Sequence, residues 1–176
     1  AALQIANQIF TARLMNELRE RRGMTYDVQA RLSTHQTQGS QVIELQTRPE
    51  LADAALTHIK GMFQDFLIHG PTQKELDDTK TWLAGRAPLT SASNAQIVRQ
   101  LLAIGVNDLP LDLDFSSQTA QKLNVDSVKK ALNQHLDAER WNVVILGPTT
   151  DQQPLPTPIE SAANTMCRAT TEFVAS

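Results

Sequence analysis

The chain has 176 residues, of which 41% are hydrophobic and 20% are charged, and its formal net charge is −3. This length fits one domain that buries about 70% of its unfolded surface, and the negative charge argues against a nucleic-acid partner. No apolar run reaches the ~20 residues that cross a bilayer, and a single cysteine, Cys167, excludes an internal disulfide and a cysteine-based metal cluster.

The N-terminal segment predicts one long helix over residues 3–22. Its apolar side chains recur at helical spacing, at Leu3, Ile5, Ala6, Ile9, Phe10, Leu14 and Leu18. Gly23 follows Arg21 and Arg22, so it predicts a left-handed cap behind a cationic last turn. This pattern explains the arginines and the glycine, but it does not explain Tyr26, the only tyrosine of the chain.

Arg19 and Tyr26 are therefore candidate substrate-binding residues. Arg19 would lie in the last helical turn and Tyr26 at the head of the next strand, so the turn at Gly23 could direct both tips toward one point. A guanidinium and a phenol both donate hydrogen bonds, and together they could grip a peptide carbonyl and stabilise an oxyanion. The alternative is a capped helix with solvated arginines and a half-buried tyrosine, and the spacing alone favours that alternative.

Two strands are predicted after this turn, over residues 26–34 and 41–47. Alternation places one set of side chains on the same face of the first strand: Tyr26, Val28, Ala30 and Leu32. The polar residues 35–40, which include a glycine, predict the hairpin connection.

Helices follow the hairpin. Pro49 begins a helix that Gly70 ends, and Thr72 with Glu75 forms a capping-box pattern that opens the next helix, which Pro88 ends. The predicted inner face of that second helix is Leu76, Thr79, Trp82 and Leu83. Three further helices are predicted over residues 94–104, with Ile97, Val98, Leu101 and Leu102 inward, 116–123 and 126–136.

The C-terminal part predicts one more strand and a tail. The apolar run at residues 141–146 has the length of a strand that is covered on both faces. Residues 149–176 are rich in proline, threonine and glutamine, which predicts a mobile or extended tail after a domain at residues 1–148. Three strands among several helices predict an α+β fold, in which an antiparallel or mixed sheet packs against helices in layers.

Residues 11–26, TARLMNELRERRGMTY, resemble the segment SRL-x-x-ELRE-x-RG-L-x-Y of the insulinase or pitrilysin-like zinc peptidases. That segment opens the C-terminal-type domain of these enzymes. The resemblance continues more weakly through residues 71–76 and ends at residues 141–148. The glycine-rich turn and the first strand of the family have no counterpart here. Either two helices are fused or a loop is absent, and the chain is expected to begin inside the domain.

The resemblance implies a role for the candidate pair. In that family an arginine and a tyrosine seven residues apart grip the substrate, and Arg19 and Tyr26 match those positions. The family also places its zinc in a His-x-x-Glu-His motif, which this sequence lacks. The resemblance therefore implies the zinc-free half of a metallopeptidase, with no cofactor on this chain and zinc in a homologous partner domain or subunit.

The four histidines, His35, His58, His69 and His135, are expected at the surface or at its rim rather than on a metal. The expected partners are a peptide substrate, the zinc-carrying domain and a second copy of the chain. Two alternatives remain at this point: a catalytically inactive structural or assembly subunit of the same superfamily, and a stand-alone module that binds extended peptides at a sheet edge. The resemblance implies a soluble protein of the bacterial periplasm or cytoplasm.

Overall fold

The computed structural model describes residues 1–34, 39–106, 108–113 and 115–159. A first helix, α1 (Ala2–Leu14), continues without a break as a π-helical segment (Met15–Arg21). The strands are β1 (Thr25–Thr34) and β2 (Gly39–Thr47). A 3-10 turn (Pro49–Leu51) leads into α2 (Ala52–His69) and is followed by α3 (Gln73–Thr90), α4 (Asn94–Val106), α5 (Phe115–Gln121) and α6 (Val125–His135).

The first helix is the centre of the fold. It packs against β1 and also against α2, α3 and α6, and its buried side chains are Ile5, Ala6, Ile9, Phe10 and Leu14. The ring of Phe10 stacks on Phe66 with centroids 5.3 Å apart and meets Phe63 edge-on at 5.5 Å. A strand hairpin packed on helices in this way confirms the predicted α+β class.

The two strands pair antiparallel, with Val28 opposite Leu45 and Ala30 opposite Ile43. The predicted common face is wrong at its first position, because Val28 and Ala30 are buried whereas Tyr26 is exposed. The register shifts between Thr25 and Val28, so β1 carries one extra residue there. Such a bulge reverses the side-chain alternation, and for this reason Tyr26 faces solvent.

The third predicted strand does not form within the described residues. Residues 141–146 form neither a helix nor a strand there, and Val144 and Leu146 are 82% and 92% exposed. Only Trp141 is anchored, with its ring edge-on to Phe63 at 5.2 Å. An apolar strand needs a neighbouring strand to bond its backbone, and the described sheet contains only β1 and β2.

The third and fourth helices differ from the predictions in their extent and in the exposure of their apolar side chains. The third helix runs past Pro88 to Thr90, and its Trp82 is 44% exposed, with the Arg86 guanidinium 5.0 Å above the ring. No side chain of α4 is buried, although four apolar residues were expected inward. Residues 149–159 form no helix or strand, and residues 160–176 lie outside the described ranges, so the extended tail and its boundary at 148/149 stay a prediction.

Arg13 and Glu75 join α1 to the start of α3. The capping box predicted at Thr72 and Glu75 is present. The same Glu75 accepts two hydrogen bonds from the Arg13 guanidinium, at 2.5 and 2.7 Å, and Arg13 also donates to the Gly70 carbonyl and lies over the Phe66 ring. Burial raises the pKa of Glu75, but the hydrogen bonds from Arg13 and Thr72 outweigh it and lower the pKa to about 2.

We expect Glu75→Gln to lower the free energy of unfolding by about 2 kcal/mol at pH 7, because charge-assisted hydrogen bonds from Arg13 are lost at a partly exposed site. The folded-state pKa lies below the usual value of 4.5, so the carboxylate stabilises the fold above that pH. This contribution should disappear as the pH falls from about 4.5 to about 2. Urea unfolding at a series of pH values measures it.

The control is Asp78→Asn, which removes an exposed carboxylate of the same helix that is paired with Lys74. We expect this change to cost well under 1 kcal/mol at any pH, since exposed ion pairs contribute little. Equal losses in the two variants would contradict the assignment of Arg13 and Glu75 as a structural clamp.

Candidate functional site

The turn between the first helix and β1 is closed by Gly23. Its φ is +58°, in the left-handed region that the sequence predicted for a helix cap. The Gly23 amide donates to the Arg19 carbonyl at 3.1 Å, and the Met24 amide donates to the Leu18 carbonyl at 2.8 Å. Each of these bonds spans one residue more than in a Schellman cap, because the helix ahead of it is π-helical.

Arg19 lies within this π-helical segment, two residues before its end. Its side chain is 49% exposed and forms an ion pair with Glu20 at 3.5 Å. An exposed pair between adjacent residues holds a guanidinium only weakly. The Arg19 side chain can therefore turn toward a ligand at little cost.

Tyr26 lies in the bulge of β1. The bulge is fixed by the buried Thr25, whose hydroxyl donates to the Gln46 carbonyl at 2.6 Å and accepts from the Asp27 amide at 3.1 Å. The Tyr26 side chain, held only by its backbone, is 93% exposed. Its phenol is thus presented to solvent at the start of the strand.

Two backbone irregularities therefore flank Gly23, and each carries one residue of the candidate pair. Both π-segments and β-bulges occur preferentially at functional sites, where they redirect a side chain. Among the described residues no hydrogen bond joins Arg19 to Tyr26. The structure thus places both donors on the surface near one turn, and their joint action on a ligand stays a prediction.

Glu17 is the centre of a charged cluster beside this turn. The sequence did not predict this cluster. Its carboxylate accepts from Arg21 at 2.5 Å and from Arg22 at 2.6 Å, and it lies 3.2 Å from His58 on α2. Burial raises the pKa of Glu17, but the hydrogen bonds from Arg22 and His58 and the charges of both arginines outweigh it and lower the pKa. The four-residue spacing to Arg21 was the available signal, whereas the wider π turn brings in Arg22, five residues away.

The described residues contain no group of histidine, cysteine and acidic side chains that could hold a metal ion. His58 belongs to the Glu17 cluster, at the rim as expected, whereas His35 and Cys167 lie outside the described ranges. Within those ranges, no helix combines the length and apolar composition that a bilayer span requires. The cellular location stays a prediction.

Comparison with known proteins identifies relatives of one family. Residues 1–83 match the family described as the peptidase M16 inactive domain. A Pseudomonas fluorescens peptidase M16 inactive domain of known structure is 42% identical, with a TM-score of 0.79 over 88% of this chain and 38% of that one. The "Non-peptidase homolog YmxG" of Helicobacter pylori is 25% identical over 129 residues, which are 73% of this chain and 30% of that protein.

The fold also matches the periplasmic protease PqqL of Escherichia coli, with a TM-score of 0.67 at 23% identity over 77% of this chain and 15% of that one. The first half of PqqL matches with a TM-score of 0.60. The chain thus spans about a third of the length of the Pseudomonas fluorescens and Helicobacter pylori relatives. These matches confirm the resemblance to the zinc-free domain type.

We expect Gly23→Ala to destabilise the protein by about 1–2 kcal/mol. Beyond its chain neighbours, no atom lies within 4 Å of the added methyl group, so the cost comes from the positive φ and not from a clash with packed side chains. Gly61→Ala is the matched control, because Gly61 lies inside α2, where an added methyl group meets nothing within 4 Å apart from its chain neighbours and the backbone of its own helix. There alanine should stabilise by about 0.5–1 kcal/mol.

Thermal and urea unfolding of both variants measure these changes. A Gly23→Ala variant as stable as the parent would contradict the claim that the positive φ between Arg19 and Tyr26 requires a glycine.

Proposed function

Through residues 1–83 this chain belongs to the family of the peptidase M16 inactive domain, and we propose that it acts as a non-catalytic M16 domain with a structural or assembly role. Two further findings support a domain without its own catalysis. One relative is named a non-peptidase homolog, and the described residues provide no set of metal ligands. Any zinc would belong to a homologous domain, in the same chain or in another subunit.

The observation that carries the assembly role is the exposed apolar face of α4. Its members are spaced as on one side of a helix, and they are 41–64% exposed: Val98, Leu101, Leu102 and Val106. Soluble monomers rarely expose a contiguous apolar patch of this kind without an interaction partner. A helix with no fully buried side chain also gains little from packing on its own domain.

A homologous domain is the partner that fits best. The chain covers 38% of its Pseudomonas fluorescens relative and 30% of YmxG, so similar domains belong to much longer proteins. The apolar run at residues 143–146 adds a second exposed surface, and because it pairs with no strand among the described residues, it suits a neighbouring strand. In the isolated chain, a second copy would take the place of the homologous domain.

We expect the isolated chain to associate with itself, and Leu102→Glu to weaken this association at least tenfold, because a charge would enter an apolar contact. The stability of the monomer should change by less than 0.5 kcal/mol, since Leu102 is 64% exposed. Sedimentation equilibrium over a range of concentrations measures the dissociation constant.

Gln134→Glu is the control for this experiment, because it adds the same charge at an exposed position of α6. It should leave the dissociation constant unchanged. A parent chain that stays monomeric at high concentration, or an equal effect of the two variants, would contradict an assembly role for α4.

A second candidate function rests on the exposure of Arg19 and Tyr26. We propose as an alternative that this pair grips the carbonyl of a peptide held between this domain and a zinc-carrying one. The guanidinium and the phenol would donate to the carbonyl oxygen and stabilise the negative charge that develops there when water attacks. The partner domain would provide the zinc that activates this water, and this chain alone would hydrolyse nothing.

The two candidates are separated by Tyr26→Phe in the assembled protein that contains the zinc domain. If the phenol stabilises the oxyanion, kcat should fall by roughly 10²-fold, or about 2.7 kcal/mol, with an unchanged fold. Arg19→Ala should have a similar effect. If the domain is only structural, both variants should retain the parent kcat while association is preserved.

Arg21→Ala is the control for the loss of a nearby positive charge, because half of its side chain is exposed and its partner is Glu17. It should lower kcat by less than threefold. Arg22 is not a suitable control, since it is partly buried in the Glu17 cluster and also contacts the C-terminal segment. Equal losses in the Arg21 and Tyr26 variants would contradict the carbonyl-gripping role.

A further inference from the structure

The segment from Gln152 to Ile159 is bound to the body of the domain at its first residues. The Gln153 amide donates to the Glu50 carbonyl at 2.7 Å. The Gln152 side chain donates to the Pro49 carbonyl and accepts from the Asp53 amide, both at 3.1 Å. These contacts fix the segment at the turn that precedes α2.

The far end of the segment reaches the last residues of the π-segment. The Ile159 amide donates to the Arg21 carbonyl, and the Arg22 guanidinium donates to the Pro156 carbonyl, each at 2.5 Å. Between the two ends, Leu155 packs against the hydrophobic core. The segment therefore crosses from the start of α2 to the helix end that carries the candidate pair.

The sequence of this segment favours such docking. Prolines at 154, 156 and 158 alternate with residues that keep their amide, and two of those amides, Gln153 and Ile159, bond to the domain. Proline fixes φ near the value of an extended chain, so little conformational entropy is lost when the segment binds. A pre-extended chain with donors at both ends is suited to bridge two fixed points.

Arg22 connects this segment to the Glu17 cluster. Its Nε donates to Glu17 and its Nη1 to Pro156, and only 13% of its side chain is exposed. Glu17 also binds Arg21 and, across to α2, His58. The Arg22 guanidinium thus joins the π-segment to the C-terminal segment directly and is connected to α2 through Glu17, at a position between Arg19 and Tyr26 in the chain.

We propose that residues 152–159 form a strap that fixes the end of the π-segment, and that Arg22 is the positioning residue through which the strap sets the orientation of Arg19 and Tyr26. The strap holds Arg21 by its carbonyl and Arg22 by its side chain, and Gly23 then leads directly into β1. Release of the strap loosens this helix end and moves the pair. The strap controls the site of the second candidate function, but the test of the strap requires neither a peptide nor a zinc domain.

The test uses the full chain with 13C-labelled tyrosine and amide hydrogen exchange followed by NMR. Because Tyr26 is the only tyrosine, its ring gives a single set of signals. In Arg22→Gln we expect the Ile159 amide to exchange about tenfold faster than in the parent, since a charged donor that holds the strap is lost. The Tyr26 ring signal should shift or broaden in the same variant.

Arg21→Gln is the matched control, because it removes another arginine from Glu17 without touching Pro156. It should leave the Ile159 exchange rate within a factor of two of the parent and the Tyr26 signal in place. Ile159→Pro removes the other end contact while leaving the Glu17 cluster intact, and it should reproduce the change at Tyr26. This second variant also serves if Arg22→Gln fails to fold.

Two results would overturn the proposal. The first is parent-like exchange of Ile159 in a folded Arg22→Gln, which would mean that Arg22 does not hold the strap. The second is an unchanged Tyr26 signal in Ile159→Pro or in Arg22→Gln with faster Ile159 exchange, which would mean that the strap does not position the pair. Neither result depends on whether Arg19 and Tyr26 bind a peptide.

Discussion

The contact between Arg13 and Glu75 organises the domain, because it satisfies several constraints with one guanidinium. Arg13 lies on the helix at the centre of the fold, and its plane covers the Phe66 ring while its nitrogens bond to Glu75 and to the Gly70 carbonyl. Glu75 at the same time closes the capping box that begins α3. The end of α2, the start of α3 and α1 are thereby fixed together, and the aromatic cluster around Phe10 can pack against them.

The candidate site is built on this frame, at two places where the backbone departs from regular helix and strand structure. A π-segment adds one residue to the helix and a bulge adds one to the strand, and Gly23 joins them with a positive φ. The bulge is held by a contact inside the domain, the hydrogen bond from the Thr25 hydroxyl to the Gln46 carbonyl of β2. The exposure of Tyr26 is therefore a property of the fold itself and does not require a ligand.

The sequence predicted those features whose causes are local. The cap at Gly23 and the capping box at Thr72 and Glu75 are set by residues within a few positions of each other, and both are confirmed. The predicted orientation of Tyr26 was wrong, because it is set by a bulge, and a bulge depends on how β1 is paired with β2. The predictions of a strand at residues 141–146 and of an inward face on α4 were wrong for a different reason. Apolar side chains indicate that a surface will be covered, but they do not identify the element or the molecule that covers it.

The exposed groups of this domain carry unequal weight for function. A solvated phenol or guanidinium costs no free energy, so the exposure of Arg19 and Tyr26 permits a ligand without requiring one. An apolar helix face in water is unfavourable by roughly 25 cal/mol per Å², and a partner that covers the four exposed residues of α4 removes this cost. The physical case for a partner domain is therefore stronger than the case for a peptide. A peptide at this turn would be enclosed between two domains only after the partner domain has bound.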